Sequence, residues 1–181
     1  MKGKLQRIAI IGNAGGGKSA LARRLGTALD IPVHPFDDLQ WQPRWRRAPE
    51  MEIQATHSSW LAEPRWIIDG WGSWDILKRR FESADTIILV DFPIVVHYWW
   101  AAKRHLKAVF KLNQGWPPAG CSALPVTKDL IRLMWRIHKE MRPQLIALIQ
   151  QFAAEKQVVW LKSARQLHEF LNEIAFQDLY Q

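Results

Sequence analysis

A glycine-rich segment near the start of the chain could hold a chain of phosphate groups. It reads Gly-Asn-Ala-Gly-Gly-Gly-Lys-Ser and matches the pattern G-x-x-x-x-G-K-[ST]. Glycines let successive backbone N–H groups turn inward around phosphate oxygens, and a helix that begins within the loop adds the positive end of its dipole. We expect Lys18 to reach the β- and γ-phosphates and Ser19 to ligate Mg²⁺. The residues expected to contact the phosphates are Gly12, Asn13, Ala14, Gly15, Gly16, Gly17, Lys18, Ser19 and Ala20.

Two aspartates are candidates for the carboxylate that a magnesium–nucleotide site also needs, because Mg²⁺ keeps most of its waters and takes few protein ligands. Asp69 ends the apolar segment Trp-Ile-Ile-Asp, and Asp37 follows Val-His-Pro-Phe. Both would lie beyond the carboxyl ends of strands, where ligands bind in open α/β sheets. Asp38 is the alternative to Asp37, and either aspartate could instead cap a turn or helix. For Asp91, which Phe-Pro follows, a structural turn is the preferred interpretation.

Basic residues form three clusters that could offset the charge of a transferred phosphoryl group. Two are short, and the third is a long run on both sides of a segment rich in proline and glycine. From the long run we expect Arg104, Arg132 and Arg136 to act in catalysis. Arg132 and Arg136 are four positions apart and share a helix face, so both could point into one cleft. For any single basic residue, a solvated surface role is the alternative. The clusters are Arg44, Arg46 and Arg47; Lys78, Arg79 and Arg80; and the basic residues from Lys103 to Arg142.

Alternating strand-like and helix-like segments would position these residues. The strand-like segments are short, apolar and rich in branched or aromatic residues, as is typical of buried parallel strands. Helix-length segments separate them, which predicts right-handed crossovers and an α/β fold whose parallel sheet is covered on both faces. The strand-like segments are 8–11, 32–36, 66–69, 86–91 and 157–161, and the helix-like segments are 18–29, 51–61, 74–82, 95–112, 128–154 and 164–175.

Two stretches interrupt this alternation. Residues 40–61 begin with tryptophans and prolines and are expected to form an insertion that binds an acceptor. Residues 111–127 hold three prolines and two glycines, which is typical of a lid.

A chain of 181 residues can bury one substantial core but is short for two, so we expect one domain over residues 1–181.

Composition and net charge indicate which partners the protein could bind and in which compartment it is expected. The 25 Lys and Arg against 17 Asp and Glu give a formal charge of +8, which predicts attraction to nucleotides, nucleic acid or an anionic membrane surface. Cys121 is the only cysteine, which excludes an intrachain disulfide and favours a reducing, cytoplasmic setting. No signal peptide is recognisable, and charged or helix-breaking residues interrupt the most apolar segment, 86–102, so we expect no membrane partner. The oligomeric state is left open.

Several motifs together resemble the adenylate-kinase-like P-loop proteins often labelled DNA topology modulation proteins. They are the glycine-rich loop, Asp37, the segments Trp-Ile-Ile-Asp-Gly at 66–70 and Ala-Asp-Thr-Ile-Ile at 84–88, and Asp-x-Pro at 91–93. Trp41-x-Pro43-x-Trp45 and the late Arg142-Pro143 also look like that group, and the resemblance covers nearly the whole chain. It implies a P-loop NTPase three-layer sandwich, nucleoside monophosphate kinase-like with a lid, whose five-stranded parallel sheet has the order 2-3-1-4-5. It also implies ATP and Mg²⁺ as cofactors.

Two departures from adenylate kinases concern the nucleotide and the acceptor. Adenylate kinases follow Asp-x-Pro with two arginines that flank ATP, and the corresponding positions here are Trp100 and Arg104. The indole of Trp100 could stack on adenine in place of a guanidinium. After Gly70 the chain reads Trp-Gly-Ser where adenylate kinases have Phe-Pro-Arg, so their arginine for the acceptor phosphate has no counterpart. Arg80, in the next helix, is the candidate replacement.

We therefore expect a kinase that transfers the γ-phosphoryl group of ATP·Mg²⁺ to a nucleotide or to another small phosphorylated or hydroxylated acceptor. Two alternatives stay open. One is an ATPase or nucleotide-gated switch without a small acceptor. The other is an ATP-dependent regulator associated with nucleic acid, which the positive charge and the label of the relatives suggest. The sequence contains no zinc-finger spacing, RNP signature or basic zipper that would support this last alternative.

Overall fold

The structure, a computed structural model, describes residues 5–110, 117–122 and 127–178. Five parallel strands form its central sheet, in the order β2-β5-β1-β6-β7. Counted among themselves along the chain, these strands have the order 2-3-1-4-5, which confirms the predicted topology. Two further strands form a separate antiparallel pair. The strands are β1 Arg7–Gly12, β2 Val33–Pro35, β3 Trp41–Gln42, β4 Arg46–Arg47, β5 Trp66–Asp69, β6 Thr86–Val90 and β7 Gln157–Leu161.

Helices cover both faces of the sheet, as the sequence predicts. Along β1, Ala9 and Ile11 contribute to one buried cluster, while Ile8 and Ile10 contribute to the other, because successive side chains of a strand point to opposite faces. The first cluster also takes side chains from α3, α4 and α7, and the second takes them from α1 and α8. The helices are α1 Lys18–Leu29, α2 Phe36–Gln40, α3 Glu50–Ala62, α4 Trp74–Ser83, α5 Ile94–Val109, α6 Thr127–Arg136, α7 Arg142–Phe152 and α8 Ala164–Asp178.

The strand register brings several loop residues to one edge of the sheet. Asp69 is paired with Ile10 of β1 and also with Pro35 of β2, while Gly12 is paired with Val90 of β6. Since the strands are parallel, the carboxyl ends of β1, β2, β5 and β6 all meet at this edge. The loops that follow them therefore form one continuous surface.

The long helix predicted over residues 128–154 is interrupted. A π-helical turn at Ile137–Met141 separates α6 from α7, and Pro143 is the second residue of α7. Proline has no N–H to donate to the carbonyl four residues earlier, and its ring collides with that carbonyl, so the backbone widens locally. The strand predicted to end at Phe36 is also shorter, because this buried residue begins α2.

The structure describes all of the predicted acceptor insertion but only part of the predicted lid. Residues 40–61 comprise the end of α2, the β3–β4 hairpin with a 3₁₀ turn at Pro43–Trp45, and most of α3. Within the predicted lid, 111–127, the segments 111–116 and 123–126 lie outside the described residues. None of the described helices has both the length and the apolar character needed to cross a membrane.

Candidate active site

The loop between β1 and α1 requires glycine at two positions that fix its path. Gly12 has φ +148°, and a Cβ placed on it would lie 2.2 Å from the carbonyl oxygen of Val90. Gly15 has φ +73°, and its Cβ would lie 2.4 Å from the carbonyl oxygen of His97. Any side chain would thus collide with backbone and also strain the loop. The glycines allow the loop to lie directly against β6 and α5.

The N-terminus of α1 follows this loop without an acidic side chain in its first turn. Gly17 precedes the helix with φ +77° and offers no side-chain cap, so the first helical N–H groups keep their capacity to bind an anion. The half-buried Lys18 folds back over the loop, where its Nζ donates to the carbonyl oxygen of Asn13 at 2.9 Å. The backbone and the ammonium group therefore fit the phosphates of a nucleotide.

Ser19 and Asp69, the two residues predicted to hold Mg²⁺ beside the loop, are in contact with each other. The Ser19 hydroxyl donates to Asp69 Oδ2 at 2.7 Å. Asp69 is 3% exposed, and its Oδ1 has no hydrogen-bond partner among the described residues. A hydroxyl and a carboxylate are hard oxygen ligands, and Mg²⁺ is held by few such ligands because it keeps most of its waters. These two residues therefore fit a magnesium ion.

Burial and nearby charges shift the protonation of both charged groups at this point. Burial raises the pKa of Asp69, whereas the hydrogen bond from Ser19 and the charges of Lys18 and Arg80 oppose that rise. Burial also lowers the pKa of Lys18, while the carboxylates of Asp37 and Asp69 act in the opposite direction. Lys18 and Asp69 thus stabilise each other's charged forms.

Asp37 and Arg104 complete this group of charges. Asp37 is exposed at the start of α2, and its charge acts on Lys18, Asp69, Arg80 and Arg104. Burial lowers the pKa of Arg104, and Asp37 opposes that shift. We call Lys18, Ser19, Asp37, Asp69 and Arg104 the cleft cluster.

Asp38, the alternative to Asp37, lies beside the cluster and not within it. The pKa of Asp38 is raised by burial and by the charge of Asp37, and none of the cationic groups of the cluster contributes to that shift. The structure therefore favours Asp37 over its neighbour as the carboxylate of the site.

Arg80 lies in the core, a position that was not predicted from the sequence. It is fully buried, with Nη1 donating to the carbonyl oxygen of Gly70 at 2.7 Å and its guanidinium 4.8 Å from the centre of the Phe36 ring. Burial lowers its pKa to about 9, while Asp69 and Asp37 oppose the shift. Arg80 therefore lies in the core, where its charge interacts with Asp69 and Asp37. Its burial corrects the expectation that it reaches an acceptor phosphate.

Arg132 and Arg136 are not brought into the cluster. Their side chains are 80% and 69% exposed, and they lie 3.6 Å and 3.5 Å from the carboxylates of Asp129 and Glu140. Met134, between them in sequence, is fully buried on the inner face of α6. Positions two residues away on either side of it point outward on a helix. This corrects the expectation that both arginines point into the cleft.

A side chain of α5 and a main-chain carbonyl of α6 hold the glycine-rich loop in place, and no sequence motif predicted these contacts. His97 is buried, and its Nδ1 lies 3.1 Å from the carbonyl oxygen of Ala14. Burial lowers the pKa of His97 to about 4, so the ring is neutral at pH 7 and its Nδ1–H donates to that carbonyl. Asn13 donates from Nδ2 to the carbonyl oxygen of Met134 at 2.8 Å.

Trp100 lies beside the loop, with its ring 5.4 Å from that of Phe92 in an edge-on arrangement. A Cβ placed on Gly17 would lie 3.0 Å from the indole. Trp100 is half-buried, which leaves part of the ring accessible next to the loop. Its stacking on adenine stays a prediction.

Asp91 has the structural role that its Phe-Pro context favours. It accepts two hydrogen bonds from Arg142, at 2.6 Å and 2.7 Å, and one from Trp160 Nε1 at 3.0 Å. Burial alone would raise the pKa of Asp91, but these hydrogen bonds and the charge of Arg142 lower it overall. The carboxylate ties the end of β6 to α7 and β7.

The described part of the predicted lid rests on the β3–β4 hairpin. Arg44 N donates to the carbonyl oxygen of Gly120 at 3.0 Å, and Trp45 Nε1 donates to that of Ser122 at 2.8 Å. A Cβ on Gly120, whose φ is +74°, would lie 2.8 Å from Pro43 Cβ. We call these contacts the hairpin–lid contact.

Solved structures share this fold across almost the whole chain. A sugar kinase from Janibacter sp. HTCC2649 is 12% identical, covers 98% of this chain and 94% of its own, and has a TM-score of 0.52. A gluconokinase from Sinorhizobium meliloti 1021 is 14% identical, with coverage of 97% and 92% and a TM-score of 0.52. The shikimate kinase from Acinetobacter baumannii, in complex with shikimate, is 11% identical, with coverage of 98% and 94% and a TM-score of 0.53.

At these identities the comparison establishes the fold alone, in agreement with the predicted α/β architecture. All three structures are described as kinases and none as a DNA-associated protein, so the DNA topology label gains no support from them. A scan against protein-family models and a search of curated proteins gave no match.

Proposed function

We propose that this protein is a kinase that transfers a phosphoryl group from ATP·Mg²⁺ to a hydroxyl group of a small acceptor. The observation that supports this most directly is the cleft cluster. It places an exposed carboxylate, Asp37, in the electrostatic field of the loop lysine, Lys18, and of Arg104, beside the Ser19–Asp69 pair. Phosphoryl transfer requires this combination of cations around the phosphates and a group that orients the attacking oxygen.

Each member of the cluster has a role in this proposal. Bound ATP·Mg²⁺ would supply the phosphoryl group and the leaving group. Ser19 and Asp69 would hold the metal, and the backbone of the glycine-rich loop would bind the phosphates. Lys18 and Arg104 neutralise charge that develops on the phosphoryl oxygens. Asp37 accepts the proton of the acceptor hydroxyl and orients its oxygen.

A hydroxylated acceptor fits the site better than a nucleoside monophosphate. The candidate arginine for an acceptor phosphate, Arg80, is fully buried and donates to Gly70. Asp37 by contrast is exposed and suits a hydroxyl group. The structural neighbours described as sugar kinase, gluconokinase and shikimate kinase point to the same class of acceptor.

We further propose that the chain forms one domain in which residues 40–61 contribute the acceptor side and residues 111–127 form a lid. The hairpin–lid contact supports this division, because it joins the two segments. Closure would exclude water from the cleft and reduce wasteful hydrolysis of ATP.

The direct test is ADP formation with ATP, magnesium and a panel of acceptors. The panel contains sugars, sugar acids, cyclic hydroxy acids and nucleoside monophosphates. We expect one hydroxylated class to accelerate ADP formation and to yield a phosphorylated product by mass spectrometry. Lys18→Ala, which removes the loop ammonium, is the inactive control. Steady ATP hydrolysis that no acceptor changes would contradict the proposal and favour an ATPase or switch, and phosphorylation of nucleoside monophosphates alone would contradict the choice of acceptor.

A further inference from the structure

One face of α5 is apolar although it is exposed. Val95, Trp99 and Leu106 in α5 and Phe110 at its C-terminal cap are 68%, 60%, 61% and 65% exposed. Their spacing of four, seven and four positions puts them on one side of the helix. We call these four residues the outer stripe.

The outer stripe is separate from the nucleotide side of the same helix. His97 and Ala101 are buried and face the glycine-rich loop, where they would meet a Cβ placed on Gly15 or Gly16. The stripe lies on the opposite side of the helix from these two residues. Its apolar character is therefore not explained by packing against the nucleotide site.

The neighbouring helix extends the apolar surface. Ile131 and Trp135 of α6 are 51% and 52% exposed and one helical turn apart. The Tyr98 hydroxyl donates to the carbonyl oxygen of Ile131 at 3.4 Å, which places α6 alongside α5. Exposed apolar side chains on adjacent helices are typical of an interaction surface.

Positive charge borders the outer stripe. α5 contains Lys103, Arg104 and Lys107 and has no acidic residue. Lys103 Nζ lies 4.7 Å from the centre of the Trp99 ring, and Lys107 is exposed near Leu106 in the sequence. An apolar helix face that carries aromatic residues and is flanked by lysines matches helices that lie in the interface of a bilayer.

These charges decide between the candidate occupants of the surface. A second copy of this chain would present the same surface, with lysines and without an acidic residue on α5, so charge complementarity is lacking for that contact. Nucleic acid would match the lysines but not the aliphatic side chains of Val95 and Leu106. Anionic lipid matches both, because acyl chains accept the apolar side chains while headgroups attract the lysines.

We propose that the outer stripe docks this protein peripherally on bilayers that contain anionic lipids, in contrast to the expectation of no membrane partner, which rests on the lack of a signal peptide and of an uninterrupted apolar span. α5 would lie parallel to the surface, with the stripe buried at the level of the headgroups and Lys103 and Lys107 paired with lipid phosphates. The nucleotide side of α5 would face away from the bilayer, so the cleft stays accessible. The proposal concerns location and does not depend on the kinase activity.

The test is co-sedimentation of the full chain with vesicles of phosphatidylcholine alone and of phosphatidylcholine mixed with phosphatidylglycerol. We expect binding to the mixed vesicles and much weaker binding to the neutral ones. Leu106→Glu and Phe110→Glu should each weaken binding by about tenfold or more, since each removes a buried apolar side chain from the interface. Lys103→Gln and Lys107→Gln should each weaken it roughly fivefold.

Met51→Glu is the matched control, because Met51 is a large apolar side chain on α3 that is 86% exposed and lies outside the surface. It should leave vesicle binding unchanged. Urea unfolding of Leu106→Glu and Phe110→Glu, followed by circular dichroism, verifies that these variants are folded.

Three results would overturn the proposal. The first is the absence of binding to the mixed vesicles, and the second is binding that survives both Leu106→Glu and Phe110→Glu. The third is a dimer in analytical ultracentrifugation that Leu106→Glu dissociates, since this would assign the outer stripe to a second copy of the chain.

Discussion

Asp37 and Asp38 are adjacent in sequence, yet only one of them belongs to the cleft cluster. The charge of Asp37 acts on Lys18 and Arg104, whereas that of Asp38 acts on neither. Both carboxylates are exposed. Electrostatic surroundings, not accessibility, therefore distinguish the two residues, and substitution can separate their roles.

We predict that Asp37→Asn lowers kcat by roughly 100-fold or more, because the amide cannot accept the proton of the acceptor hydroxyl. Asp38→Asn has the same change of charge and should alter kcat less than about threefold. Initial rates with the best acceptor of the panel measure both. Equal losses in the two variants would contradict the assignment of Asp37.

Arg80 presents a different case, because it touches the cluster only from within the core. Burial lowers its pKa to about 9, which means that the folded state disfavours the charged guanidinium relative to water. Removing one partner of a buried pair of opposite charges nevertheless destabilises a protein by about 3–5 kcal/mol, because it leaves the other charge buried without compensation. The charge of Arg80 acts on the buried carboxylate of Asp69, so Arg80 serves both the stability of the fold and the electrostatics of the site.

We predict that Arg80→Met lowers kcat by about tenfold and also lowers the free energy of unfolding, by about 3–5 kcal/mol. The loss of activity follows because Gly70 loses its hydrogen bond and Asp69 and Asp37 lose a stabilising charge. Initial rates measure kcat, and urea unfolding measures the free energy of unfolding.

Arg79→Met is the control on the same helix, since Arg79 is exposed and bonds only Gln54 and Ser58 among the described residues. Arg79→Met should change kcat and the free energy of unfolding only slightly. A destabilised Arg80→Met protein with unchanged kcat would show that Arg80 serves stability alone.

The hairpin–lid contact joins two of the elements near the cleft cluster. The β3–β4 hairpin is only two residues long on each side, and Arg44 and Trp45 in its turn have φ +63° and +59°. Non-glycine residues seldom adopt this conformation. The turn is therefore held by its partners, among them Gly120 and Ser122.

We predict that Trp45→Phe raises the KM of the acceptor up to about fivefold, because it removes one hydrogen bond to the lid while keeping an aromatic ring. Trp41→Phe is the matched control, since Trp41 packs edge-on against Trp45 with ring centres 5.7 Å apart and its indole makes no hydrogen bond within the described residues. Limited proteolysis near residue 120 should also be faster in Trp45→Phe. Identical behaviour of the two variants would contradict a coupling between hairpin and lid.

At the scale of the whole molecule, stability depends on two histidines that the fold keeps neutral. His57 is fully buried and His97 is 2% exposed. Burial lowers the pKa of His57 to about 3 and that of His97 to about 4, from a usual value of 6.5. Below pH 6.5 the unfolded chain therefore binds protons that the folded chain does not, and folding loses free energy as the pH falls.

We predict that the free energy of unfolding decreases between about pH 6.5 and pH 4, with a slope of up to about 1.4 kcal/mol per pH unit for each histidine. His57→Gln and His97→Gln should each reduce that slope, whereas His168→Gln, an exposed position, should not. Urea unfolding across this range measures the slopes. A flat profile would contradict the prediction.

The sequence by itself determined the parallel α/β architecture and the glycine-rich loop. These two features depend on local pattern: apolar periodicity defines strands, and glycine spacing with a following helix defines the loop. Parallel strands bring their carboxyl ends to one edge, so the sequence also predicted that Asp69 and Asp37 lie there. The order of the strands followed from the resemblance to adenylate-kinase-like proteins, and the hydrogen bond between Ser19 and Asp69 was found only in the structure.

Only the tertiary structure decided which basic side chains reach the cleft. Arg104 joins the cluster, Arg80 lies buried beneath it, and Arg132 lies outside. Sequence spacing shows which residues share a helix face but not which face packs inward, since that depends on partners distant in the chain. On α6 the partner is the glycine-rich loop, whose Asn13 bonds Met134 across 121 positions of sequence and turns the arginines away.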